Sequence, residues 1–138
     1  MAGTLTYRDY STADRVVTLP TRLFVALTAP NQLVLDYIFD DGPVKTVYSY
    51  ETMLFDRSAQ QVVWTSGAEK KEVFNHRIIS DAEESGIRKL VFERKKDSKF
   101  LRFSMLFSGT TVSLREDEVA ADGSTTNRNE YRFQRPGT

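Results

Sequence analysis

The apolar residues of this chain step in twos. Leu23/Val25/Leu27, Leu33/Leu35/Tyr37/Phe39 and Leu101/Phe103/Met105/Phe107 each place a hydrophobic side chain at every second position. A pleated strand points alternate side chains to opposite faces, so period two means one buried face and one wet face. About ten such runs, separated by polar turns with almost no helical stretch, predict an antiparallel barrel or sandwich.

The runs place strands at roughly Thr4–Tyr10, Arg15–Thr28, Leu33–Phe39, Val44–Phe55, Gln61–Thr65, Lys70–Ser80, Arg88–Lys95, Phe100–Phe107, Thr111–Val119 and Arg128–Arg135. Short links such as Ala29-Pro30-Asn31-Gln32, Asp40-Asp41-Gly42-Pro43, Ser66-Gly67, Lys96-Asp97-Ser98 and Ser108-Gly109 carry turn chemistry. They favour neighbours that pair antiparallel, and hence a meander. Pro20 cannot donate to a ladder and marks a strand start, an edge or a bulge. The run Val44–Phe55 would extend about 40 Å as one strand. Its apolar phase shifts from Val44/Tyr48/Tyr50 to Met53/Phe55, which predicts a bulge or break near Glu51. Asp81–Gly86 reads as a loop, with one helical turn as the alternative. The fold class is therefore all-β, one domain over residues 1–138, an antiparallel meander of about ten strands closing into a barrel. A β-sandwich is the alternative.

Composition removes several functions. The 138 residues carry 19 Lys plus Arg and 19 Asp plus Glu, a formal net charge of zero. Lys70/Lys71 and Lys95/Lys96 cluster locally, but no basic footprint points to nucleic acid. Without cysteine there is no disulfide framework, thiolate nucleophile or cysteine-held metal. A single histidine rules out a multi-histidine metal site within one chain. Asp40/Asp41 and Glu116/Asp117/Glu118 lack the ligand spacing of a calcium loop and read as solvated charges. No phosphate loop, dinucleotide fingerprint, His-Glu-X-X-His or Gly-X-Ser-X-Gly occurs, so no cofactor is expected. No apolar run approaches membrane-helix length. Met1-Ala2-Gly3-Thr4 enters an alternating run at once, without a signal-peptide pattern. A cytosolic protein, or a chain whose leader has been removed, is the expectation.

Gly3-Thr4-Leu5-Thr6-Tyr7 resembles the first barrel strand of lipocalin-like (calycin) domains, where a glycine precedes an aromatic. Tyr131-Arg132-Phe133 resembles their last strand, whose arginine often packs across that aromatic. The usual Gly-X-Trp signature is absent, and Trp64 lies mid-chain. The helix after the last strand of lipocalins and the helical lid of fatty-acid-binding proteins are absent too. The resemblance implies a lipocalin-like barrel that encloses a small ligand.

Candidate site residues follow from parity. Phe74, His76 and Ile78 share one face, and an inward His76 is a lumen group able to exchange protons between pH 5 and 8. Arg94 follows Leu90 and Phe92 on one face, where its guanidinium suits a ligand carboxylate. The aromatics Tyr37, Tyr48, Phe92, Phe103 and Tyr131 complete the candidate ligand-binding set. The faces Leu23/Val25/Leu27, Leu35/Tyr37, Phe74/His76/Ile78, Leu90/Phe92, Leu101/Phe103/Met105 and Tyr131/Phe133 should line one apolar cavity with Arg94 or a tyrosine hydroxyl at its polar end. Such a cavity would take a lipid-like or ring-shaped ligand, for example a chain of about eight methylenes.

Three functions compete on this barrel. The first is a non-catalytic carrier of a small apolar or amphipathic molecule. The second is an isomerase or cyclase using His76. The third is an accessory or interaction domain with a filled interior, which the Pro136-Gly137-Thr138 ending suits. Whether the interior is open separates them.

Overall fold

The structure, a computed structural model, describes residues 2–9, 15–29, 31–40, 46–56, 58–67 and 72–135. Ten strands follow one another: β1 (Ala2–Asp9), β2 (Arg15–Ala29), β3 (Gln32–Asp40), β4 (Thr46–Asp56), β5 (Gln61–Ser66), β6 (Glu72–Glu84), β7 (Ile87–Lys96), β8 (Lys99–Phe107), β9 (Thr111–Val119) and β10 (Thr125–Gln134). Each pairs antiparallel with its sequence neighbours, and β1 also pairs with β10. The sheet is thus a closed meander barrel rather than a sandwich. Closure removes both sheet edges and gives every inward apolar face one shared interior.

The seam between β1 and β10 depends on Gly3, opposite Phe133. A Cβ at this position would overlap the carbonyl oxygen of Arg132, so the closing strands approach too closely for any other residue. Arg132 itself points outward, 73% exposed, and bonds Glu130 Oε1 at 2.7 Å. It does not pack across the first strand's aromatic as the resemblance implied. Its position opposite Thr4 gives it the outward parity.

Pro20 pairs with Thr4, one residue beyond the last β2–β3 pair, Thr21↔Phe39. Pro20 therefore sits where β2 is paired on one side only, a position that accommodates a residue without an N–H donor.

Two expectations need correction. β4 carries no bulge, since its register with β3 and β5 is unbroken through Glu51. Glu51 shares the inward parity of Met53 and Phe55, while Tyr48 and Tyr50 stand outside and exposed. The phase never changes; a carboxylate occupies an inward position. Bulges fall instead at Leu27/Ala29, Ile78/Ser80 and Asn127/Asn129. The second correction concerns residues 81–86, which are not a loop. β6 runs to Glu84, and Ser85-Gly86 forms a two-residue turn with both φ positive, 53° and 77°. That is the primed hairpin turn, whose twist matches the flanking strands. Residues 79–87 are exposed, so both faces are wet and no alternation marks the strand. Val44, Lys70 and Lys71 lie outside the described residues.

The core consists of Leu23, Leu35, Met53, Val62, Leu90, Phe92, Leu101 and Met105, each at most 2% exposed. Inward parity alone does not guarantee burial. Val25 faces in opposite Leu35 but lies past the last β1–β2 pair and is 40% exposed. The side chain of Leu27 is not among those described.

Candidate functional site

The interior is filled over most of its length and hollow at one end. There a cavity of ≈200 Å³ is lined by Glu51, Trp64, Ser66, Phe74, His76, Arg94, Phe103, Leu114, Glu116, Asn129 and Tyr131. Phe103, Glu116 and Asn129 stand near the middle of β8, β9 and β10, whereas Ser66 and Arg94 come from the ends of β5 and β7 and Phe74 and His76 from the beginning of β6. In a meander these termini gather at the same end of the barrel. Apolar side chains pack the rest, so the inward faces expected to line a cavity mostly fill it.

His76 sits in the cavity wall, 3% exposed, with its ring 5.1 Å from both Phe92 and Phe103 and edge-on to each. Its Nδ1 lies 3.3 Å from the Val62 carbonyl oxygen, which can only accept, so Nδ1 carries the proton. Nε2 is then an acceptor, buried without a partner. Burial is the largest influence on this ring, and its pKa falls to about 4. His76 is where parity placed it, but it is neutral across the pH range in which proton exchange was expected.

The group that titrates near neutrality is Glu51. Burial pushes its carboxyl up to about 7; the hydrogen bond from Trp64 Nε1 (3.0 Å to Oε2) opposes this and the charge of Glu116 adds to it. Glu116 accepts a 2.6 Å hydrogen bond from Asn129 Nδ2. Tyr131 is raised well above its ordinary value by burial and by the charges of Glu51 and Glu116. Among the described residues neither glutamate has a cationic partner.

Arg94 lies at the rim with its guanidinium 4.4 Å from the centroid of the Phe74 ring. Among the described residues no carboxylate pairs with it; the nearby Glu93 is held by Arg77 and Arg102. Here the wall opens. β6 and β7 pair from Arg77↔Glu93 onward, whereas residues 72–76 bond only to β5 and residues 94–96 only to β8. His76 and Arg94 flank this gap and border both the interior cavity and an outer groove of ≈420 Å³.

Of the residues singled out from sequence, His76, Arg94, Phe103 and Tyr131 line the cavity. Phe92 lies fully buried against His76 and stacks on Phe103 at 5.3 Å. Tyr37 is buried in a second aromatic group, 5.2 Å from Tyr131 and 5.8 Å from Phe39. Tyr48 is elsewhere, 73% exposed on the outer surface beside Phe24 and Tyr50, because its parity is outward. Sequence reasoning missed Glu51, Trp64, Ser66, Leu114, Glu116 and Asn129. Their inward parity was readable, but a search for apolar faces passes over carboxylates and amides.

The carboxylates considered for a cation do not assemble. Among the described residues no group of three or more histidine, aspartate or glutamate side chains forms a metal cluster. Asp117 bonds Arg115 and Asn127, and Glu118 pairs with Lys99 and Arg128 rather than standing solvated. Asp41 lies outside the described residues.

No family model, curated protein or solved structure matches the chain. The functional reading therefore rests on the site itself.

Proposed function

We propose that this barrel is a non-catalytic binding protein for a small amphipathic molecule carrying a single ring, held in the cavity at its polar end. The observation that carries the reading is the ≈200 Å³ hollow walled by Trp64, Phe74, Phe103 and Tyr131 inside an otherwise filled core. An apolar cavity of about 150 Å³ takes up benzene, while drug-sized ligands need about 300 Å³ or more. A single ring with a short polar arm fits these limits. A chain of about eight methylenes with a head group does not. The meander closure and the Gly3 seam support reading the barrel as lipocalin-like.

A neutral His76 weakens the isomerase or cyclase alternative, which needs that ring to exchange protons near neutrality. The interaction-domain alternative needs an interior with no room for a ligand, and the cavity speaks against it.

Affinity should be modest. Burying a ring-sized apolar surface of about 150 Å² is worth roughly 4 kcal/mol. Association costs are of similar size. Polar contacts must supply the remainder, so dissociation constants of about 0.1–1 mM are expected for simple probes. The single tryptophan lines the cavity and reports directly on it. Titrating with 2-phenylethanol should change Trp64 emission saturably in that range, while palmitate and retinol should not compete. Absence of any single-ring binding below about 10 mM, or tighter binding of the long chain, would overturn the reading.

A further inference from the structure

The cavity's polar groups are unbalanced. Trp64 Nε1 and Asn129 Nδ2 already donate to Glu51 and Glu116, so beside the two glutamates the open positions are acceptors. Each glutamate keeps a second oxygen for which no donor is seen among the described residues. His76 Nε2, in a residue 97% removed from solvent, is an acceptor without a donor in the same wall. The Ser66 and Tyr131 hydroxyls can serve in either sense.

The charge count points the same way. With both carboxyls ionised, Glu51 and Glu116 bring −2 and Arg94 brings +1, so the cavity wall carries −1. An anionic ligand would deepen that imbalance, whereas a monocation would cancel it. Burial chiefly raises the Glu51 carboxyl, and the charge of Glu116 beside it adds to the cost of a second negative charge. The rings are suited to a cation as well: Phe74 already carries the Arg94 guanidinium on its face, and Trp64, Phe103 and Tyr131 present further aromatic surface.

We propose that the cavity takes the ammonium of a small arylalkyl amine, held between Glu51 and Glu116 with its ring against Trp64, Phe103 and Tyr131. A protonated amine has only donors, which suits the second oxygens of Glu51 and Glu116, while the Arg94 donors stand over Phe74. This rests on the small-ligand reading above and narrows it to one ligand class. Binding displaces the Glu51 proton, so affinity should rise between pH 6 and 8. The other titratable or charged groups lining the cavity are Glu116 on β9, Tyr131 on β10, His76 on β6 and Arg94 on β7, with Tyr37 on β3 close enough to sense the Glu51 charge. Of these, His76 stays neutral and both tyrosines stay protonated throughout that interval.

The experiment compares three probes of nearly equal size, 2-phenylethylamine, 2-phenylethanol and phenylacetate, by Trp64 emission at pH 6 and pH 8. The amine should bind at least about tenfold tighter than the alcohol at pH 8, and the margin should shrink at pH 6. Glu51→Gln, whose amide oxygen still accepts from Trp64, should abolish that margin. Glu116→Gln tests the second carboxyl independently, with thermal unfolding as the check that each variant folds. Equal affinity for amine and alcohol overturns the ammonium site and leaves the small-ligand reading standing. Preference for phenylacetate overturns it too and moves the head group to Arg94. Failure of all three probes overturns the small-ligand reading and the ammonium site together.

Discussion

Two residues in the cavity wall bind protons in opposite senses on folding. Glu51 titrates near 4.5 in an unfolded chain and at about 7 in the barrel. Between those values the folded protein holds a proton that the unfolded chain has released, so this contribution to stability falls as pH rises. His76 titrates near 6.5 unfolded and at about 4 folded. Between those values the unfolded chain holds a proton that the barrel refuses, so this contribution grows as pH rises. The two windows overlap from pH 4.5 to 6.5, where the slopes oppose each other, each at most about 1.4 kcal/mol per pH unit. The wild type should therefore show a nearly flat profile there. His76→Phe should make stability fall as pH rises, and Glu51→Gln should make it rise. Urea unfolding at pH 4.5, 5.5 and 6.5 checks this, and variant profiles parallel to the wild type would refute it. Asp56 and Asp122, both held below their ordinary value of 3.8 by hydrogen bonds, act below this window.

At the scale of elements, two glycines are required for different reasons. Gly3 has no room for a Cβ beside Arg132, so Gly3→Ala must pry β1 from β10. A loss of about 1–3 kcal/mol is expected, the range for overpacking a tight contact. Gly86 has open space around it but a φ of +77°. Gly86→Ala should cost only about 1–2 kcal/mol, the penalty of a left-handed backbone. Denaturant midpoints rank the two, and a milder effect at Gly3 than at Gly86 would contradict the seam. Strand order and the meander were legible because alternation and short polar links survive in sequence. The β6–β7 hairpin was not legible, because a strand wet on both faces has no period to read. The supposed bulge near Glu51 shows the converse problem: hydrophobicity stood in for direction, and a buried carboxylate beside two exposed tyrosines mimics a phase change. Parity counted strictly from Met53 would have placed Glu51 inside.

For the whole molecule, closure makes the interior one compartment whose filling decides function. Sequence located His76, Arg94, Phe103 and Tyr131 at the cavity because each stands two positions from an apolar residue on an inward face. It could not give the volume, which depends on how side chains from seven strands, β4 to β10, meet, nor show that Glu51 and Glu116 share one cavity. The most direct test is thermal unfolding with and without 2-phenylethanol, in the wild type and in Leu114→Phe. Leu114 is 3% exposed and borders the cavity, so a larger ring there occupies the ligand's space while staying apolar. At about ten times the dissociation constant the ligand adds roughly 1.4 kcal/mol, which raises the wild-type midpoint by a few degrees. The filled variant should fold and show no rise. An equal rise in both proteins would place the ligand outside the cavity, and no rise in the wild type would contradict binding altogether.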